Sequence, residues 1–339
     1  MKIAIIGAGL SGLTLAYHSD AGADIYIFEK ARGVGGRMAT RYADPYEFDH
    51  GAQYFRCDHP DFQSFLDKMS TNKVVTQWDT DFYSRQGQDY TPFITDKPAY
   101  IATDKMNALC KYLYADVKDR VSLKLSCHIQ KITPTVDPTG FRKWTLTDHH
   151  GQDFGPFDYI VATMPAPQMQ TLYAPYLTPS DCDQFDQVKM QGCFSLMIGD
   201  ADLKTVPGLP ARISDSPIGW MAYNHKKPHR DTAQHAAPAL IIQSTNEWAE
   251  NHLEEDKNWV TTTLLKAASD ILKTDLSTSD HIALHRWRYA SVATPLGHAF
   301  WINEDLGLAA CGDWCLGGKI EKAFLSGLKL AEHFQSKNQ

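Results

Sequence analysis

Two glycine-rich turns lie close together in this chain, one at Gly7, Gly9 and Gly12, the other at Gly33, Gly35 and Gly36. Both suit the close approach of backbone to phosphate. In the first, Gly7 makes the tight turn, Gly9 lets the main chain reach a pyrophosphate, and Gly12 allows a helix to pack against a strand. The start of that helix offers free N–H groups and a positive dipole end. Glu29 ends the next apolar run, where a carboxylate accepts hydrogen bonds from ribose hydroxyls and favours a ribose without a 2′-phosphate. The second turn brings Arg37, available for phosphate. A nicotinamide dinucleotide alone needs no second turn, whereas the diphosphate and ribityl chain of FAD run on past the first helix. Much later, Gly312 and Asp313 close the apolar run "LGLAACGD" before a glycine-bearing turn and the helix "IEKAFLSGLKLAEHF". Asp313 there is placed for a ribityl hydroxyl, and taken singly it serves as well as a helix N-cap. The helix start would aim its dipole at the pyrimidine edge of a flavin, stabilising the negative charge of the reduced ring.

These residues require particular elements to position them. "KIAII" (2–6) reads as a strand buried on both faces, Leu10, Leu13, Ala16 and Tyr17 as a helix face, and "DIYIF" (24–28) as a second strand, which together make a βαβ unit. Asp58 and Pro60 predict a helix start, with Phe62, Phe65, Leu66 and Met69 as its apolar face. Thr103 predicts another, with Met106, Leu109, Cys110 and Leu113 inward. Strands are expected at 121–132, 143–147, 158–163 and 238–245, and an amphipathic helix at 259–272. From about 170 to 300 tryptophan, histidine and proline accumulate, so the ends and a middle piece read as one domain with another inserted. The expected fold is α/β, a Rossmann-type FAD-binding domain (1–72, 104–170 and 300–339) carrying an inserted α+β substrate domain (73–103 and 171–299).

Bulk properties narrow the class. With 339 residues, 43% hydrophobic and 22% charged, the chain has the composition of a globular protein with a filled core. A net charge of −7 without a basic run argues against a nucleic-acid partner. Seven cysteines show no C-x-x-C pair and no zinc spacing, as expected of free thiols in a reducing compartment. Glycines interrupt the apolar start, and no segment is apolar enough to span a membrane, so a cytoplasmic location is expected. Monomer and homodimer both remain open.

With the motifs "IAIIGAGLSGL", "KARGVGGRMATR", "DHGAQYF", "FGPFDYIVATMPAPQ", "HRWRYA" and "CGDWCLGGKIEKAFLSG" in this order, the chain resembles the flavin amine oxidase superfamily and, within it, the bacterial renalases. The likeness runs over essentially the whole chain. It implies non-covalent FAD, with Ser11, Lys30, Gln53, Ile129 and Ile320 joining the glycines, Glu29, Arg37 and Asp313 around the cofactor. It also implies a pocket lined by Tyr54, Asn224 and Trp287, with Gln243 where related sequences carry a histidine. The implied reaction oxidises isomeric 2- or 6-dihydronicotinamide dinucleotides to NAD(P)+, with dioxygen returning as hydrogen peroxide. NAD and NADP are both left open.

The residues themselves are compatible with that reaction. A dihydropyridine loses hydride to become an aromatic cation and needs no general base, only stacking and orientation. Trp287, Tyr289 and Trp301 suit a flat substrate, Phe300 and His285 read as structural, and no Ser–His–Asp set, metal cluster or carboxylate pair emerges. Two other readings stay open: an amine oxidase using the same flavin, and a flavoprotein scaffold without catalysis. A nicotinamide-dependent dehydrogenase would leave the turns at 32–37 and 311–327 without a task.

Overall fold

The computed structural model describes residues 1–230 and 237–337. Strand β1 (Lys2–Ile6) pairs in parallel on both sides, with β2 (Asp24–Phe28) and with Tyr159–Ala162. It therefore needs apolar residues on both faces, which explains its unbroken apolar run. The full sheet has six strands, in the order 300–303, 308–311, 159–162, 2–6, 24–28 and 121–124. All are parallel except Phe300–Asn303. Ile3 and Ile5 of β1 point into one core, shared with helix α1 (Leu10–His18), helix α2 (Pro60–Thr71), and the helices Ala108–Val117 and Ile320–Ser336. Ala4 and Ile6 point into a second core built from Trp144, Phe157, Met169 and Trp314.

A seven-stranded sheet, ordered 281–294, 189–199, 239–244, 218–223, 211–213, 83–86 and 89–92, forms the other large layer. Alternation along its strands separates two faces. Phe194, Leu196 and Ile198 pack with Val260, Leu264, Ala268 and Leu272 of the helix Lys257–Leu272. Cys193, Ser195 and Met197 look the opposite way, towards residues 46–55.

Three sequence expectations need correction. The helix at 58–60 is capped by His59, whose Nδ1 accepts from Asp61 N–H, while Asp58 pairs with Lys97 and Lys319. The helix expected from Thr103 begins at Ala108, because Asp104 adopts a left-handed conformation (φ 64°) that no helix interior accepts. The single run at 121–132 is two strands, Val121–Lys124 and Ile129–Val136, in different sheets, broken at left-handed Ser126 (φ 53°). Strands 75–77 and 100–102 pair with each other, and Val75 and Ala99–Ala102 pack into the core that also holds α1, α2, and Trp220 and Ala222 of the seven-stranded sheet.

Candidate active site

The two glycine turns meet. Gly35 N–H donates to Ala8 carbonyl at 2.9 Å, and Gly9 bridges Gly35 in parallel. Gly36, left-handed at φ 54°, would place a Cβ 3.3 Å from Gly9 Cα. At Gly12 a Cβ would sit 2.3 Å from Gly7 carbonyl oxygen, so the opening of α1 closes tightly on β1. A Cβ at Gly9 or Gly33 would meet nothing within 4 Å, so open space lies beside both turns. No side chain caps α1. Such a cradle fits a diphosphate. Thr163, just past Tyr159–Ala162, supports it by donating to the carbonyls of Ile6 (3.1 Å) and Gly7 (2.9 Å).

Glu29 is buried, and its two carboxylate oxygens accept from Ala8 N–H (2.8 Å) and Ala31 N–H (2.7 Å). Its orientation is thus fixed by the two glycine segments. Ser11 is buried in α1, Lys30 is exposed and reaches Gln168, and the side chain of Ile129 belongs to the second core.

Arg37 and Asp313, far apart in sequence, form a bidentate ion pair, with one contact at 2.8 Å, and Arg37 also reaches Ala290 carbonyl. Here each is the other's partner. Asp313 does not end the strand: it opens a one-turn helix, Asp313–Leu316, with Gly312 in the cap position. Ser326 orients this corner by accepting from Gly312 N–H (2.8 Å). The long helix starts only at Ile320, after Gly317 and Gly318. Its Glu321 accepts from the N–H groups of Asp58 and His59, both at 2.6 Å, and so anchors the approach to α2.

Between the sheets runs the segment 49–54. Trp287 Nε1 donates to His50 carbonyl (2.9 Å), and Gln243 Nε2 donates to Gly51 carbonyl (2.7 Å). Ala52 N–H donates to Arg37 carbonyl, and a Cβ on Gly51 would lie 2.0 Å from that oxygen. Asn224, expected in the pocket lining, is buried with its amide donating to Glu47 carbonyl (2.9 Å) and accepting from Asp49 N–H (3.3 Å). Gln53 likewise donates to Asp49 and Gly51 carbonyls and accepts from Lys227. In this structure both amides therefore hold backbone in place. Tyr54 sits among Trp78, Phe82 and Trp220, with ring centroids 5.2–6.3 Å away, and Tyr289 is half-buried on the strand of Trp287.

A buried ionic cluster fixes Asp49. Its Oδ2 meets Lys227 Nζ (3.3 Å) and Arg230, and its Oδ1 accepts from Thr40 Oγ1 (2.8 Å) and Met106 N–H (3.0 Å). Burial alone would raise the Asp49 carboxyl, but the two cations outweigh it and keep it ionised, below the usual range. No sequence pattern marked Lys227 or Arg230. Next to this cluster His50 stacks on Trp287 (5.1 Å, 28°) and meets His285 edge-on (4.8 Å). Burial first, then neighbouring positive groups, push both imidazoles down to about 4.

All seven cysteines are free. No three-ligand metal group occurs among the described residues, and none of their helices is long and apolar enough to cross a membrane.

Residues 5–69 match the family model for an NAD(P)-binding Rossmann-like domain. The chain is 22% identical to renalase of Mus musculus over 313 residues, 86% of each chain. A solved structure from Exiguobacterium sp. 255-15 superposes on 99% of both chains with a TM-score of 0.76 at 12% identity. Putrescine oxidase bound to putrescine superposes on 99% of both with a TM-score of 0.69 at 10% identity. These likenesses show an α/β fold with a Rossmann-like domain, the fold that the putrescine oxidase structure also has. Within that fold the chain is renalase-like, in agreement with the likeness of its motifs.

Proposed function

We propose that this chain is an FAD-dependent oxidase of isomeric dihydronicotinamide dinucleotides. The flavin, when bound, supplies a two-electron acceptor that takes hydride at N5 and is reoxidised by dioxygen to give hydrogen peroxide. The cradle of Gly9, Gly35 and Gly36 would hold the diphosphate, Glu29 the ribose, and Arg37 with Asp313 the ribityl side. Non-covalent binding is supported by the thiols next to that corner. Cys311 and Cys315 are fully buried, and burial pushes the Cys315 thiol up to about 12, so neither offers a thiolate for attachment.

One observation carries the substrate reading. The sheet face opposite residues 49–54 presents His285, Ser195, Gln243 and Trp220 in register across four strands, with no carboxylate among them. His50 and His285 are held too far down to be protonated at neutral pH and are weak bases. That environment suits a donor already activated for hydride loss. Its ring needs a wall and an orientation, which Trp287 and Tyr54 supply. Product NAD(P)+ is cationic on the nicotinamide ring, and the π faces of Trp287 and Tyr54 can receive it.

Anaerobic stopped-flow mixing tests this. A 2- or 6-dihydronicotinamide isomer should bleach the flavin rapidly, and common amines should not. Bleaching by a primary or secondary amine alone would assign the chain as an amine oxidase, and no bleaching by either would leave a non-catalytic flavoprotein.

A further inference from the structure

We propose that Arg56 and Arg212 form, with the indole N–H of Trp220, an anion subsite beside Tyr54 that takes a phosphate ester of the substrate. The proposal rests on the reading of that substrate as a dihydronicotinamide nucleotide.

The row of side chains on the inner sheet face continues one strand further. Trp220 pairs with Gln243 on one side and with Arg212 on the other, which brings Arg212 to the end of the pocket face. There Arg212 donates to Tyr54 hydroxyl at 3.3 Å, and its guanidinium lies 4.3 Å from the centroid of Phe93. Arg56 comes to the same place from the segment after Tyr54. Its guanidinium lies 5.5 Å from the ring of Tyr54, 5.9 Å from Phe82 and 5.8 Å from Phe93. Two cations thus share the ring of Phe93.

Neither forms an ion pair among the described residues. The arginine ion pairs among the described residues belong to Arg37, Arg230, Arg286 and Arg288. The acid nearest to Arg56 in sequence, Asp58, is held by Lys97 and Lys319. Arg56 donates through one nitrogen to Thr95, while its Nε and other terminal nitrogen are buried without an acceptor. Trp220 Nε1, on the same ring cluster as Tyr54, is also buried without one. Buried donors without acceptors are costly, and more so when charged. Two guanidinium groups sharing a ring repel each other unless an anion lies between them. The site offers donors, positive charge and aromatic walls, and arginine forks match phosphate oxygens in geometry. It lies beyond Tyr54, where the ribose phosphate of a nucleotide would follow a ring stacked in the pocket.

Two measurements on the holoenzyme test the subsite. In calorimetric titration with ADP-ribose at low salt, the wild type should bind, and Arg212→Gln and Arg56→Gln should each weaken binding about tenfold or more. In turnover, the ratio of KM for the dihydronicotinamide mononucleotide to that for the phosphate-free riboside should rise about tenfold in both variants. An unaltered flavin spectrum reports a folded holoenzyme. Arg212 is exposed, so its variant serves if Arg56→Gln does not fold. Failure of the wild type to bind ADP-ribose, or binding unchanged in both variants, overturns the proposal. Arginine-dependent ADP-ribose binding without flavin bleaching by any dihydronicotinamide would instead uphold the subsite and overturn the proposed reaction.

Discussion

Glu29 is oriented before any ribose reaches it, because Ala8 and Ala31 hold both of its oxygens. Glu29→Ala should weaken FAD binding by roughly 1.5–3 kcal/mol, the range of a charge-assisted hydrogen bond, when apoprotein is titrated with FAD. Unchanged affinity would mean that the carboxylate only ties the two glycine segments together. Trp287 has two separable tasks, a ring face stacked on His50 and an N–H on His50 carbonyl. Trp287→Ala should slow flavin reduction about 10²-fold while the flavin spectrum persists, the scale expected for ~1 Å of misplacement. Trp287→Phe, keeping a ring, should recover much of that rate. At this scale, the residues legible in the sequence were those following a backbone signal: Glu29 after a strand, Arg37 after a glycine turn, Asp313 before one. Lys227 and Arg230 were not legible, since cations are ordinarily exposed and only tertiary packing buries these two. Arg56 and Arg212 were hidden because only the fold brings these distant residues to one ring, that of Phe93.

The elements carry their own test of close approach. Gly12→Ala would drive a Cβ to 2.3 Å from Gly7 carbonyl, inside the cradle, and should abolish flavin retention through purification. Gly327→Ala would meet Ser11 carbonyl at 2.4 Å and Thr14 Cβ at 3.1 Å, where the helix Ile320–Ser336 crosses α1. It should lower the thermal midpoint by several degrees, yet leave the spectrum of bound flavin in place at low temperature. Equal loss of flavin in both variants would deny the distinction. Periodicity found most elements, because β1, β2, α2 and the helix Lys257–Leu272 each bury a pattern matched to their own repeat. It failed where single left-handed residues intervene, at Asp104 and Ser126. Nor could any pattern show that strand 83–86 pairs with 211–213, a contact between distant segments.

At the scale of the molecule, the cluster under the pocket joins residues 40, 49 and 106 to residues 227 and 230. It holds two cations for one carboxylate among the described residues, which decides how variants rank. Asp49→Asn strands two buried charges and should cost about 3–5 kcal/mol in urea unfolding of the holoenzyme. Lys227→Met leaves one matched pair and should cost far less, or nothing. Acid should act in two stages. His50 and His285 are neutral when folded, with pKa values of about 4, and bind protons in the unfolded chain near 6.5. Their contribution is therefore complete above pH 6.5 and is lost as pH falls towards 4. Asp49, depressed to about 2, adds a further loss below about 3.8. Thermal midpoints of His50→Phe measured from pH 7 to pH 4 should fall less steeply than those of the wild type, and an identical slope would remove His50 from the account.

The order of strands in the six-stranded sheet has a consequence for biosynthesis. Tyr159–Ala162 finds its second neighbour only in Leu308–Cys311, and α1 its second helical partner only in Ile320–Ser336. While residues 163–299 emerge from the ribosome, the first glycine turn exists as chain but its sheet remains open along one edge, with apolar residues uncovered and Arg37 still without Asp313. The nascent protein must wait in that state through the translation of the whole seven-stranded layer. Loading of the proposed cofactor is therefore expected only after synthesis of the helix Ile320–Ser336, so ribosome-arrested chains ending before residue 308 should retain no flavin.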